Sequence, residues 1–210
     1  MPYSFHLRIG NWVERISIVS IAIALAAAPS LAQEAPKSGW AMDPKSSCKI
    51  WDEVLEKNEV VNWSGNCVSG MAEGKGSAQW LINGKAEERY DGEMLGGKMN
   101  GTGILVFPSG LRYEGEFRNN DFHGHGKLTY SNGDVYEGQF AKDDRSGQGT
   151  FTLSDGRRYV GAWSEDYPHG TGTLTLRDGS SVSGTWKQGC LNEGAKKFAL
   201  VATPKQCGIY

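Results

Sequence analysis

The sequence predicts an all-β chain, a single sheet in which one hairpin follows another along the molecule. The first observation behind this is a repeat. Tyr113, Tyr136 and Tyr159 stand 23 residues apart, and glycines keep the same phase at Gly115, Gly138 and Gly161, at Gly124, Gly147 and Gly170, at Gly126, Gly149 and Gly172, and at Gly133, Gly156 and Gly179. A fixed period of this length marks a repeat architecture. The second is alternation: Tyr113, Gly115 and Phe117 alternate with Glu114 and Glu116, and Gly126, Leu128 and Tyr130 alternate with His125, Lys127 and Thr129. Period two means strands. The third is punctuation by turn formers, Asn119-Asn120-Asp121 on one side and Ser131-Asn132-Gly133-Asp134 on the other.

In chain order, residues 1–32 read as a signal peptide. Arg8 and Arg15 flank a polar start, Ile16 to Ala28 is small and apolar apart from Ser17 and Ser20, and Ser30 and Ala32 offer small residues for cleavage. That apolar core is shorter than the roughly 20 residues of a membrane span. No cysteine directly follows, so a lipoprotein anchor is not expected. Residues 33–47 read as a flexible leader with prolines and no periodicity. Residues 48–62 read as an N-terminal cap, in which Asp52 to Asn58 is predicted to make a turn or two of helix because Trp51, Val54 and Leu55 share a helical face. The repeat array spans 63–189, starting in degraded form at Trp63-Ser64-Gly65-Asn66-Cys67. About four extra residues around Lys85 to Arg89 are expected in a turn. The last unit, from Val182, stops after one strand, and residues 190–210 form a C-terminal cap.

Glycine makes up 29 of 210 residues, about twice the usual share of about 7%. Most of it lies on the repeat, where a glycine between two aromatics leaves room for a neighbouring ring to lie over the backbone. One hairpin cannot bury its aromatic face alone; several stacked in series can. The net charge is −2, and loss of Arg8, Arg15 and Glu14 with the signal peptide makes it one unit more negative. No basic cluster remains, which argues against nucleic acid as a partner.

The unit YEGEF-x(6)-HGHGKLTY and its copies closely resemble the MORN repeat (membrane occupation and recognition nexus), over Trp63 to Trp186. That resemblance implies an elongated, twisted antiparallel sheet of consecutive hairpins that serves as a binding or scaffolding surface. The sequence also resembles the exported bacterial branch of that family, in which a Cys-x-x-Trp segment precedes a WSGxC first repeat and a cysteine-bounded tail closes the array.

Four cysteines in an exported chain suggest two disulfides. At about 9.6 Å per two-stranded unit the end units lie roughly 48 Å apart, whereas bridged Cα atoms lie within about 7 Å. Cys67 therefore cannot reach Cys190, which leaves Cys48 with Cys67 and Cys190 with Cys207, bonds that close the two ends of the sheet. No CxxC spacing points to redox chemistry.

Catalytic and metal constellations are absent from the reading. His123 and His169 occupy one repeat position two units apart, about 19 Å, too far to share an ion. His123 and His125 lack a third ligand. No GxSxG occurs, and the paired glycines open a strand and precede no GK[ST]. The chain is expected to be no enzyme and to need no cofactor.

Two faces are candidate interaction surfaces. Asp91, Glu93, Glu114, Glu116 and Glu137 form an acidic rib on one face, giving way to Val160, Ala162, Ser183 and Thr185 in later units. It is either a solvated face whose carboxylates find neighbours such as Lys127, or a docking rib for a basic partner; anionic phospholipid would be repelled. Tyr113, Phe117, Tyr130, Tyr136, Phe140, Tyr159 and Trp163 line the other face, as core or as a groove for peptide or glycan. The resulting expectation is a non-catalytic scaffolding or protein-interaction module, periplasmic or secreted, with a protein partner. The alternative is an envelope-surface binder of membrane lipid or cell-wall glycan.

Overall fold

Two kinds of turn alternate along the chain and set its architecture. The computed structural model describes residues 37–193 and 196–209; the apolar run read as an export signal lies outside them. The strands are β1 (Lys37–Met42), β2 (Lys49–Leu55), β3 (Glu59–Trp63), β4 (Asn66–Val68), β5 (Met71–Ile82), β6 (Lys85–Leu95), β7 (Lys98–Val106) and β8 (Arg112–Arg118) in the first half. The second half continues with β9 (Asp121–Thr129), β10 (Val135–Ala141), β11 (Asp144–Thr152), β12 (Arg158–Ser164), β13 (Tyr167–Thr175), β14 (Ser181–Lys187), β15 (Cys190–Glu193) and β16 (Lys196–Ala199). A single 3-10 turn, Lys205–Cys207, is the one helical element among the described residues.

The tight turns join β6 to β7, β8 to β9, β10 to β11, β12 to β13 and β14 to β15. Both residues of each have positive φ, as at Asn119 (54°) and Asn120 (80°). This geometry matches the twist of the flanking strands. The wider turns span five residues: Phe107 N–H donates to Leu111 O at 2.9 Å and Gly110 N–H to Phe107 O at 2.9 Å, a pattern repeated at Tyr130–Asp134, Leu153–Arg157 and Leu176–Ser180.

From β5 to β16 the pairing is antiparallel and strictly sequential, so the fold is one long open sheet of consecutive hairpins. The register is pinned by glycine: Gly76 opposes Gly92, Gly92 opposes Gly103, Gly103 opposes Gly115, and the row continues across every strand to Gly184 in β14. A Cβ at Gly138 would meet Tyr136 Oη and Gly149 Cα, each at 2.6 Å. The glycine row is thus the bed on which the repeat tyrosines lie. Trp63 occupies the same place in the first, degraded unit, its ring against Gly65 and Gly76.

The ends depart from the sequence reading in four ways. Asp52 to Asn58 is not helical: β2 runs through Leu55 and pairs with β1, with Trp40 opposite Trp51. Part of the presumed leader, Lys37–Met42, is itself β1. The extra residues near Lys85 do not bulge into a turn; they lengthen β5 and β6 around a two-residue Asn83-Gly84 turn, and the extension of β5 pairs with β3. The array also continues past β14, since β15 and β16 add a further hairpin to the same sheet. Disulfides tie Cys48 to Cys67 and Cys190 to Cys207, with Cα atoms 5.7 Å and 5.3 Å apart, at opposite ends of the repeats.

Candidate functional site

The two faces of the sheet have different fates. On the ring face each repeat tyrosine packs edge-on to the aromatic four residues later and to its counterpart one unit on: Tyr113 with Phe117 (5.0 Å) and Phe140 (5.2 Å), Tyr136 with Phe140 (5.0 Å) and Trp163 (5.1 Å), Tyr159 with Trp163 (5.4 Å) and Trp186 (5.2 Å). Such edge-to-face pairs suit the ring quadrupoles. Each hydroxyl donates to a backbone carbonyl three residues on, Tyr113 to Glu116 O (2.9 Å), Tyr136 to Gln139 O (3.0 Å) and Tyr159 to Ala162 O (3.1 Å). Burial raises the pKa of these phenols, that of Tyr159 to about 12. Tyr113, Tyr136 and Tyr159 are 0% exposed, and Phe117, Phe140 and Trp163 no more than 4%. The reading of these six rings as a partner groove therefore gives way to their role as core: nearly all of their surface is spent on one another.

The acidic face is open. The register places Ser77, Asp91, Ile104, Glu114, Lys127 and Glu137 in one row across the strands. Lys75 opposes Glu93 and Thr102 opposes Glu116 in the next. Between these rows runs a groove of about 640 Å³, lined by Asp91, Glu93, Glu114, Glu116, Lys75 and His125 over the glycine backbone.

The carboxylates of the groove do not all do the same work. Glu116 sits where the ladder slips between Gly115 and Glu116, and its Oε1 accepts the His125 N–H at 2.9 Å; Gln139 Oε1 accepts the Gln148 N–H at 3.0 Å at the equivalent slip. This side chain satisfies a donor that the bulge leaves without a strand partner. Asp91 and Glu114 are held instead by exposed arginines, Arg89 at 2.8 Å and Arg112 at 2.7 Å, and Glu93 lies 3.7 Å from Lys75. The Arg89 hydrogen bond holds the Asp91 carboxyl below its usual range. Lys127 stands between Glu114 and Glu137 in the register. Exposed ion pairs of this kind contribute about 0–1 kcal/mol each, so Asp91, Glu114 and Glu137 are the members of the rib that the fold does not require. Among the described residues no group of three or more His, Cys, Asp or Glu side chains is placed to hold a metal ion.

Sequence reasoning missed a ladder that links the units. Asn120, Asp143 and Asp166 occupy one repeat position, and their Oδ1 atoms accept the N–H of Met99 (2.8 Å), Phe122 (2.8 Å) and Arg145 (2.9 Å) in the preceding unit. Arg145 returns the contact. Its Nε donates to Asp166 Oδ1 at 3.0 Å and its guanidinium lies 4.6 Å from the Trp163 ring, in a site where Arg145 is 3% exposed. The recurrence of Asx every 23 residues was the available signal. Phe122 was also missed; it stacks on Tyr113 at 3.7 Å.

An open sheet of consecutive hairpins with a packed ring face and a grooved polar face defines a β-hairpin repeat protein. Comparison with known families identifies the unit. Residues 90–112, 113–135, 136–157 and 159–181 match the MORN repeat, and repeats of that kind suggest an interaction module for protein or membrane. The Trp63 unit falls outside the match although its ring and glycines have the same placement. No curated protein matches the chain. Among solved structures, the TCP domain of SAS-4 (dCPAP) of Drosophila melanogaster, in complex with a proline-rich motif of Ana2 (dSTIL), is similar at 14% identity and a TM-score of 0.34, covering 80% of this chain and 100% of that one.

Proposed function

We propose that this chain is an exported, non-catalytic MORN-repeat scaffold, of the bacterial periplasmic or secreted type, that docks a basic protein partner on its acidic face. The observation that carries the reading is the groove between β5 and β9, whose walls bring Asp91, Glu93, Glu114 and Glu116 together. The buried ring face leaves the opposite face as the surface for contact. Two disulfides fit folding in an oxidising compartment.

A lipid- or glycan-binding role draws support from the exposed apolar residues at one end, Trp40, Met42, Val68 and Leu95, but the acidic groove opposes contact with anionic headgroups. Sedimentation with liposomes of anionic phospholipid and with purified sacculi separates the readings. The scaffold reading predicts that the protein stays in solution with both, whereas salt-resistant co-sedimentation with either would replace it.

A further inference from the structure

The hairpin β1–β2 is held over the array by a seam in which carboxyls face carboxyls. From Lys49 onward β2 runs past the ends of the repeat hairpins: Lys49 N–H donates to Gly70 O at 3.0 Å and Trp51 N–H to Gly97 O at 2.8 Å. Beyond Trp51 it passes above the ring face of the first units, where a small cavity of about 30 Å³ separates Trp51 and Asp52 from Trp80, Glu88, Met99 and Leu105. The polar groups in this seam are poorly matched. Trp80 is 4% exposed, yet its Nε1–H finds no acceptor among the described residues. Glu59 Oε2 accepts the Glu56 N–H at 2.7 Å, but its buried Oε1 meets no donor among the described residues, and the Asp52 side chain on the strap lies within hydrogen-bonding reach. Two carboxyls bond to each other only through a proton that one of them keeps. Glu88 brings a third carboxyl towards Asp52.

The structure assigns to β1–β2 the role of a proton-controlled strap: the Glu59 and Glu88 carboxyls, which face Asp52 on the strap, keep it closed while they hold their protons and loosen it when those protons are lost. The other charged groups around the seam do not reverse this. Glu56 and Lys57 lie in the exposed turn between β2 and β3, Glu87 is paired with Lys85 at 3.5 Å, Lys98 sits 5.6 Å over the Trp51 ring, and Glu53, next along the strap, places its charge near Asp143. Burial, then the nearby Asp52 and Glu88 carboxyls, push Glu59 up to about 8, and burial likewise raises Glu88. A carboxyl whose folded pKa is raised stabilises the closed state fully below its ordinary range and ceases to do so as pH rises through the folded value. The strap therefore closes on the acidic side and loosens above neutrality. Its other anchor, the Cys48–Cys67 disulfide, is covalent, so opening is local and uncovers Trp80, Met99 and Leu105.

The test is amide exchange on the intact, oxidised protein, with each rate corrected for the intrinsic pH dependence. Protection of β1 and β2 is read relative to that of β11 to β13 in the same sample. Between about pH 6 and about pH 9 the ratio is expected to fall by at least about tenfold, and the fall to shrink severalfold in Glu59→Gln and in Asp52→Asn, which keep the shapes of the side chains. A ratio that stays constant over this range would overturn the proposal, as would an undiminished fall in both variants. If either variant proves unstable, Glu88→Gln, on the opposite wall of the seam, takes its place with the same two readings.

Discussion

Asp143 shows how one repeat position can carry three chemistries. The same site holds Asn120, Asp143 and Asp166, and each accepts a backbone N–H from the preceding unit. Asn120 is neutral and Asp166 has Arg145, whereas burial pushes the Asp143 carboxyl up to about 8. A raised carboxyl stabilises the fold fully at low pH and loses that contribution as pH rises through about 8. Asp143→Asn, which copies Asn120, should therefore match the parent near pH 3 and exceed it by at least about 2 kcal/mol near pH 9 in denaturant unfolding. The Arg145 site yields a paired prediction. Arg145→Met alone strands the Asp166 carboxylate in a buried site and should cost about 3 kcal/mol. Adding Asp166→Asn recreates the Met99–Asn120 pairing of an earlier unit and should recover most of the loss, as read from the coupling energy of the double-mutant cycle. At the glycine bed, Gly138→Ala forces a methyl against Tyr136 and the Gly149 backbone. It should lower stability by about 2 kcal/mol or more in the same unfolding assay.

At the scale of elements, each hairpin is readable where side-chain period and turn chemistry agree. The alternation in β8 to β13, the paired glycines and the turns at Asn119-Asn120 and Ser131 to Asp134 all point to strands in one register, and the sheet has that register. The hairpin β1–β2 was not legible for a physical reason: Trp51, Val54 and Leu55 satisfy a helical face as well as a strand, and seven residues are too few for periodicity to decide. Pairing with β1, the carbonyl of Gly97 and the Cys48–Cys67 bond decide it. The acidic rib was legible as a row, but its division into Glu116, which satisfies a bulge, and Asp91 and Glu114, which the fold can spare, depends on ladder slips that alternation does not reveal. The far end is held by the short strand β16 and the Cys190–Cys207 bond. Replacing both cysteines with serine should cost about 3 kcal/mol in the chain-entropy view and free the terminal edge for pairing. Gel filtration should then show dimers or larger species, and a monomer with unchanged unfolding would show that the bond protects nothing.

At the scale of the molecule, the chain invests its aromatic residues in one face and leaves charge on the other. The ring face joins neighbouring units through Tyr113–Phe140, Tyr136–Trp163 and Tyr159–Trp186, so each unit buries its aromatics against the next, as in other repeat proteins. Charge is graded along the polar face: the groove between β5 and β9 is acidic, while the row from β11 onward carries Thr150, Val160, Thr173 and Ser183. On the proposed docking, a basic partner would be directed to one half of the sheet, with a long-range attraction that screening by salt weakens. The central claim is tested most directly by crosslinked capture of the tagged protein from intact cells, parent beside Asp91→Asn/Glu114→Gln, a pair whose surface ion bonds the fold can lose. The account predicts one reproducible protein partner that crosslinks through a lysine- or arginine-rich segment, is held by the parent and is lost from the variant and at raised salt. Equal capture of that partner by the variant, or recovery of only lipid or cell-wall fragments, would contradict it.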